Sequence, residues 1–143
     1  MIINWEIISQ LLIAAFLGAV VGLERELAKK EAGLKTYSLV SLGSALFVII
    51  SQLVFQGSPI TSFDPSRVLS QIIVGVGFIG AGVIMLQKNY VSGITTAAGL
   101  WVTAGIGAAI GFKLYEIAVA TTIISLIILI LIGKAERKFI DRE

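Results

Sequence analysis

Five apolar stretches determine the class of this chain. They cover residues 5–23, 37–55, 68–86, 94–112 and 114–132, and charged or turn-forming residues separate them. Each is close to the ~20 helical residues that cross a hydrocarbon core of ~30 Å. The chain is only 14% charged, against ~25% in soluble domains. The pattern predicts an all-α membrane protein: a five-span transmembrane helix bundle over residues 1–133, followed by a charged cytoplasmic tail at 134–143.

The third stretch, within residues 67–86, is unusually rich in glycine. Each glycine costs about 1 kcal/mol of helix propensity in water, whereas small residues in lipid let neighbouring helices approach closely. We therefore predict that this stretch is the central helix of the bundle. Glycines on one face of the first and fourth stretches are predicted to pack in the same way. The predicted packing glycines are Gly18, Gly22, Gly75, Gly77, Gly80, Gly82, Gly99 and Gly107.

The basic residues predict the orientation of the bundle. Loops that carry an excess of Lys and Arg stay on the cytoplasmic side of the membrane. With five crossings, one side receives nine of the 11 basic residues: Arg25, Lys29, Lys30, Lys35, Lys88, Lys134, Arg137, Lys138 and Arg142. Only Arg67 and Lys113 fall on the other side. This asymmetry predicts that the N-terminus lies outside and the C-terminus inside.

A weak internal repeat accompanies this topology. A shift of 60 residues aligns Gly22 with Gly82 and Gly33 with Gly93. Some membrane folds contain such parallel repeats, so spans one and two are a possible duplicate of spans three and four. Chance similarity between glycine-rich segments is the alternative.

The composition argues against common catalytic and cofactor chemistry. The chain contains no cysteine and no histidine, so thiolate nucleophiles, imidazole bases and the usual zinc ligands are missing. Gly75, Gly77 and Gly80 match a dinucleotide-binding pattern, but they lie in the middle of a span instead of in a strand-to-helix turn. We expect no enzymatic activity, no cofactor and no nucleic-acid partner.

Glu24 and Arg25 are the first candidate functional residues. They directly follow the first apolar stretch, and the positions three and four residues from Glu24 are apolar. Glu26, in contrast, has Lys30 four residues ahead, where an ion pair is favourable. Glu24 is therefore expected to find a partner on another helix or to bind a cation, unless it is an ordinary interfacial charge. Arg25 faces Lys29 and is a candidate for lipid phosphate or for another span.

Asp64, Arg67 and Gln71 are the second group of candidates. Asp64 and Pro65 form a helix start, because aspartate caps the first N–H groups and proline fits the first helical position. Arg67 lies in the first turn, where the helix dipole repels a cation. The simpler prediction is an Asp64–Arg67 clamp, and the more functional one is an outer polar vestibule with Gln71. If the chain binds a metal ion, Glu24 or Asp64 is the expected ligand.

Several collinear motifs resemble the membrane domain of the MgtC/SapB family over nearly the whole chain. Position 37 is tyrosine where many relatives have histidine, and we expect the transmembrane domain alone, without the soluble C-terminal domain of the better-known members. The motifs that carry the resemblance lie at residues 22–26, 33–40, 42–47, 64–68, 71–73, 75–82 and 95–104.

The resemblance implies a multi-pass protein of the bacterial cytoplasmic (inner) membrane. Family members are linked to growth in low magnesium and to survival inside host cells, a virulence-related role, and one is thought to restrain the membrane ATP synthase. The leading interpretation is a non-enzymatic protein that acts in magnesium, ion or energy homeostasis through interactions within the lipid bilayer. It is expected to form a homo-oligomer and to have a possible membrane protein partner. The alternative is a small cation (magnesium) channel or transporter.

Overall fold

The computed structural model describes residues 4–55, 64–87 and 90–134. All five helices found there are long and apolar enough to span a membrane, which confirms the predicted all-α five-span class. Residues 56–63, between the second and third predicted spans, lie outside the described residues, as do Lys88, Asn89 and all of the predicted tail at 134–143 except Lys134. The helices are α1 (Trp5–Leu27), α2 (Leu34–Phe55), α3 (Pro65–Val83), α4 (Ile94–Gly111) and α5 (Tyr115–Ile127), and a π-helical segment, Ile128–Ile132, extends α5.

Successive helices run in opposite directions. Gly22 near the end of α1 packs on Leu34 at the start of α2, and Gly80 near the end of α3 packs on Ala97 in α4. The Nζ of Lys113, after α4, lies 2.6 Å from a carboxylate oxygen of Glu6 at the start of α1. The bundle therefore has a Glu24 end, with the C-terminus of α1 and the N-termini of α2 and α4, and an Asp64 end opposite. Which end faces the cytoplasm stays a prediction, as does the internal repeat.

The central helix is α4. It packs against α1, α2, α3 and α5. Nine of its 18 residues are buried, compared with three of the 19 residues of α3. The prediction that the third stretch is central is therefore wrong. Small residues lie around most of the circumference of α4, so that neighbours can approach it from several sides. Its buried small residues are Ala104, Gly107, Ala108 and Gly111.

Most of the α3 glycines also lack the helix contacts predicted for them. A Cβ built on Gly75, Gly77 or Gly82 meets no atom within 4 Å, and one on Gly80 lies 3.4 Å from the Cβ of Ala97. Within this chain, the first three therefore do not make the predicted helix contacts. Glycine permits close approach between helices, but it does not supply the partner helix.

The two ends of α3 differ in how well local sequence predicted them. Asp64 caps the helix through a 2.9 Å hydrogen bond from the Ser66 N–H, as expected. The helix then stops at Val83, short of the predicted residue 86. Two strands in antiparallel register follow, β1 (Met85–Gln87) and β2 (Tyr90–Ser92), so that the end of the predicted third span is a strand. Aromatic and β-branched residues in the second strand favour this conformation.

Candidate functional site at the Glu24 end

Glu24 and Arg25 pair with each other in the last turn of α1. The Nη2 of Arg25 lies 2.6 Å from Oε1 of Glu24, and its Nε donates to Oε2. The two side chains are only 5% (Arg25) and 17% (Glu24) exposed. The expected partner of Glu24 on another helix is therefore wrong, and Arg25, a candidate for lipid phosphate or for another span, pairs with Glu24 instead. The long arginine side chain folds back onto the residue before it. Partner positions three or four residues away on a helix do not include such an adjacent pair.

Two other acids of the same charged run, Glu26 and Glu31, accept hydrogen bonds from the first turns of α2 and α4. Oε2 of Glu26 accepts a 2.8 Å hydrogen bond from the Leu34 N–H at the start of α2. The predicted Glu26–Lys30 pair is not among the ion pairs of the described residues. The helix α1 ends at Leu27, and the chain turns at Lys29, which has a φ of 53°.

Glu31 binds the first turn of α4 through a side chain instead of a backbone N–H. The N-cap residue Gly93 has no side chain to offer, and Glu31 accepts a 2.8 Å hydrogen bond from the Thr96 hydroxyl in the first turn. A negative charge there also interacts favourably with the helix dipole. A hydrogen bond from its own backbone N–H and the one from Thr96 hold the pKa of the Glu31 carboxyl below its usual value. The loop after α1 thus ties α4 to α2 and α1.

Tyr37 lies at the centre of this end of the bundle. Its side chain is fully buried, and its hydroxyl donates a 3.0 Å hydrogen bond to the carbonyl of Thr96. The glycines on either side make the space for it: a Cβ on Gly99 would lie 2.5 Å from the Tyr37 hydroxyl, and one on Gly22 would lie 2.8 Å from the Tyr37 Cβ. Sequence reasoning missed Tyr37, Thr96 and Glu31 as a unit. A tyrosine in an apolar span was the available signal, because a buried hydroxyl needs a partner.

Tyr37→Phe is expected to lower the free energy of unfolding by about 1 kcal/mol, the net value of one hydrogen bond. The ring and its packing remain, but the Thr96 carbonyl loses the hydrogen bond from the Tyr37 hydroxyl. Tyr115→Phe is the matched control, because Tyr115 is 36% exposed and its hydroxyl has no hydrogen bond to any described residue. Reversible unfolding in mixed micelles measures both, and equal effects of the two substitutions would contradict the assigned role of the Tyr37 hydroxyl.

Glycines close the packing between α1, α2 and α4. A Cβ on Gly18 would lie 2.6 Å from the Tyr37 carbonyl oxygen, and one on Gly107 would lie 2.0 Å from that of Ser41. With Gly22, three of the predicted packing glycines therefore make backbone-level contacts, whereas Gly99 contacts the Tyr37 side chain. Gly111, which we did not predict, packs against α2, where an added Cβ would lie 2.9 Å from the Ala45 carbonyl oxygen. At these levels the three helices are too close for a file of water between them.

The candidates at the Asp64 end are only partly brought together. Oδ1 of Asp64 accepts hydrogen bonds from the N–H and hydroxyl of Ser66, and these bonds lower the pKa of the Asp64 carboxyl. The Asp64–Arg67 clamp is not among the ion pairs found in the described part of the chain. Arg67 and Gln71 do line a common groove of about 780 Å³ between α2 and α3. Its walls are mostly apolar, and Asp64 does not line it.

Gln10 also escaped sequence reasoning. It is 2% exposed, and its Nε2 donates to the carbonyl oxygens of Ile110 at 2.9 Å and Gly111 at 3.4 Å. These carbonyls belong to the last turn of α4, where the carbonyl groups have no N–H donor within the helix. Gln10 therefore fastens α1 to α4 at the Asp64 end, as Glu31 fastens the loop after α1 to α4 at the Glu24 end.

The proposed metal ligands are separately engaged. Both carboxylate oxygens of Glu24 bind Arg25, and Asp64 caps α3. Residues 4–55, 64–87 and 90–134 contain no group of three or more His, Cys, Asp or Glu side chains placed to hold a metal ion.

The fold and the helix contacts define a multi-pass membrane protein of five helices, four of which pack around α4. Residues 11–138 match the model of the MgtC family, so the chain belongs to the MgtC family. It is 42% identical over 127 residues to "Putative magnesium transporter YhiD" of Escherichia coli K12, covering 87% of this chain and 59% of that protein.

Two further relatives show the same level of similarity. Protein MgtC of Salmonella typhimurium LT2 is 42% identical over 131 residues, which cover 92% of this chain and 54% of the relative. An uncharacterized protein of Haemophilus influenzae is 42% identical over 126 residues, covering 85% and 53%. The chain thus spans little more than half the length of these relatives. No solved structure matches it significantly.

Proposed function

We propose that this chain is a non-enzymatic inner-membrane protein that acts in magnesium, ion or energy homeostasis through contacts within the membrane, without conducting an ion itself. The observation that carries the proposal is the packing of α1, α2 and α4, in which the backbone of α2 touches α1 at Gly18 and Gly22 and α4 at Gly107. A pathway for a hydrated cation needs width and polar lining along the bundle axis. Direct backbone contact offers neither.

The state of the acidic residues supports the same proposal. Magnesium sites use carboxylates together with retained waters, and transporters place ionisable groups near the middle of the bilayer. Here Glu24 is neutralised by Arg25, Glu26 caps α2, and Glu31 binds the Thr96 hydroxyl in the first turn of α4. These hydrogen bonds engage the carboxylates of Glu24, Glu26 and Glu31, so these three residues offer no series of free carboxylates to a passing cation.

The magnesium transporter remains the second candidate, because the YhiD relative is named for that activity. Flux measurements distinguish the two. In proteoliposomes filled with a magnesium-sensitive dye, we expect the purified chain to give no more entry of magnesium than empty liposomes, while a known magnesium channel gives a clear signal. Proton flux is tested in parallel with a pH dye.

A protein-dependent magnesium or proton flux would overturn the proposal and favour the transporter. The Tyr115→Phe variant controls for preparation artefacts, since its exposed hydroxyl has no hydrogen bond to a described residue and it should behave as the wild type does. A membrane protein complex that co-purifies with the chain, combined with absent flux, is the expected positive result.

A further inference from the structure

A second groove lies at the Glu24 end, between the last turns of α1, the start of α4 and the end of α5. Its volume is about 770 Å³. One part of its wall is apolar and comes from Leu23 of α1 and from Ile128 and Leu129 of the π-helical segment. The other part is polar and includes Arg25, Lys30 and Lys134. An apolar wall and a cationic rim therefore share one cavity.

Among the described residues, the basic charge of this groove is not balanced. Glu24 is the only acidic residue among those that line it, and Arg25 already occupies both of its carboxylate oxygens. Lys30 and Lys134 are exposed, and neither forms an ion pair with another described residue. Glu31 follows Lys30 in the chain but is held by the Thr96 hydroxyl. Two ammonium groups are therefore available to an external anion beside an apolar surface.

We propose that this groove binds one anionic phospholipid, with an acyl chain along Leu23 and Leu129 and the phosphate between Lys30 and Lys134. Basic pockets between membrane helices are known to bind anionic headgroups. The phosphate and one acyl chain enter the groove, while the second acyl chain stays in the bilayer. A transmembrane helix of a second copy would cover the apolar wall but would bring no anion to Lys30 and Lys134. A zwitterionic lipid carries its own cation beside the phosphate, so its net charge would not offset the two lysines. This inference does not depend on the proposed function.

Lipid binding to the purified full chain in a neutral detergent tests the proposal. Native mass spectrometry is used to titrate phosphatidylglycerol and phosphatidylcholine with identical acyl chains. We expect one high-affinity phosphatidylglycerol, and phosphatidylcholine bound at least about tenfold more weakly. The double variant Lys30→Gln/Lys134→Gln should lose roughly 25-fold in phosphatidylglycerol affinity, at about fivefold per lysine near an anionic lipid.

The variant Lys29→Asn/Lys35→Gln is the matched control. It removes the same charge from the same end of the bundle, and neither residue lines the groove. Lys29 has a φ of 53°, a conformation that asparagine tolerates. The control should bind phosphatidylglycerol within about twofold of the wild type, because its groove lysines are intact.

Three results would overturn the proposal: no lipid adduct, equal affinity for the two lipids, or equal losses in the two double variants. A protein dimer that forms without lipid and protects the groove would also overturn it. If the double variant does not fold, as judged by circular dichroism, Lys134→Gln alone is measured and should lose about fivefold in affinity.

Discussion

Replacing Gly107 by alanine is expected to force α4 away from α2 and destabilise the bundle by about 3 kcal/mol, the upper end of the usual range for an overpacked core. A Cβ at this position would lie 2.0 Å from the carbonyl oxygen of Ser41 and 2.7 Å from its carbonyl carbon. Both are backbone atoms, so no side-chain rotation relieves the clash. The free energy of unfolding in mixed micelles and the folded yield after detergent extraction measure the effect.

Gly105→Ala is the matched control for this substitution. Gly105 lies two residues away in the same helix, and a Cβ there would meet no atom within 4 Å. Alanine should therefore be neutral or stabilise α4 by up to about 1 kcal/mol through its higher helix propensity. Equal stability of the two variants would show that α2 and α4 are not in backbone contact at Gly107.

Removing Arg25 is expected to have a comparable effect for an electrostatic reason. Arg25→Gln leaves the Glu24 carboxylate, which is only 17% exposed, without its bidentate partner. Breaking a buried pair by removing one member costs about 3 kcal/mol, since the remaining charge is uncompensated. The free energy of unfolding and the temperature at which the purified chain loses helical signal should both fall.

A double-mutant cycle identifies the pair as the cause. Glu24→Gln/Arg25→Gln leaves no isolated charge and should therefore be more stable than Arg25→Gln alone, with a coupling within the 0.5–3 kcal/mol range typical of contacting residues, about 2 kcal/mol. If the two single effects simply add, Glu24 and Arg25 are not energetically coupled. An Arg25→Gln variant as stable as the wild type would also show that the Glu24–Arg25 pair does not stabilise the bundle.

The amino-acid sequence by itself determined the number of spans and the start of α3. In lipid, backbone polar groups must be satisfied within a segment, so that a long apolar stretch with few charges has little choice but to form a helix. Asp64 and Pro65 act on the first turn of their own helix, a local effect that is visible in the order of the residues. The membership in the MgtC family was likewise readable from collinear motifs, and the match over residues 11–138 confirms it.

Only the tertiary structure decided which helix is central and what each polar group binds. Gly75 and Gly107 look alike in the sequence, yet one faces open space and the other touches the backbone of Ser41. Glu31 and Thr96 meet although many residues separate them. Glycine contact and hydrogen bonding of this kind depend on the rotation and crossing of whole helices. These are set by the joint packing of α1, α2 and α4, and no single stretch of sequence contains that information.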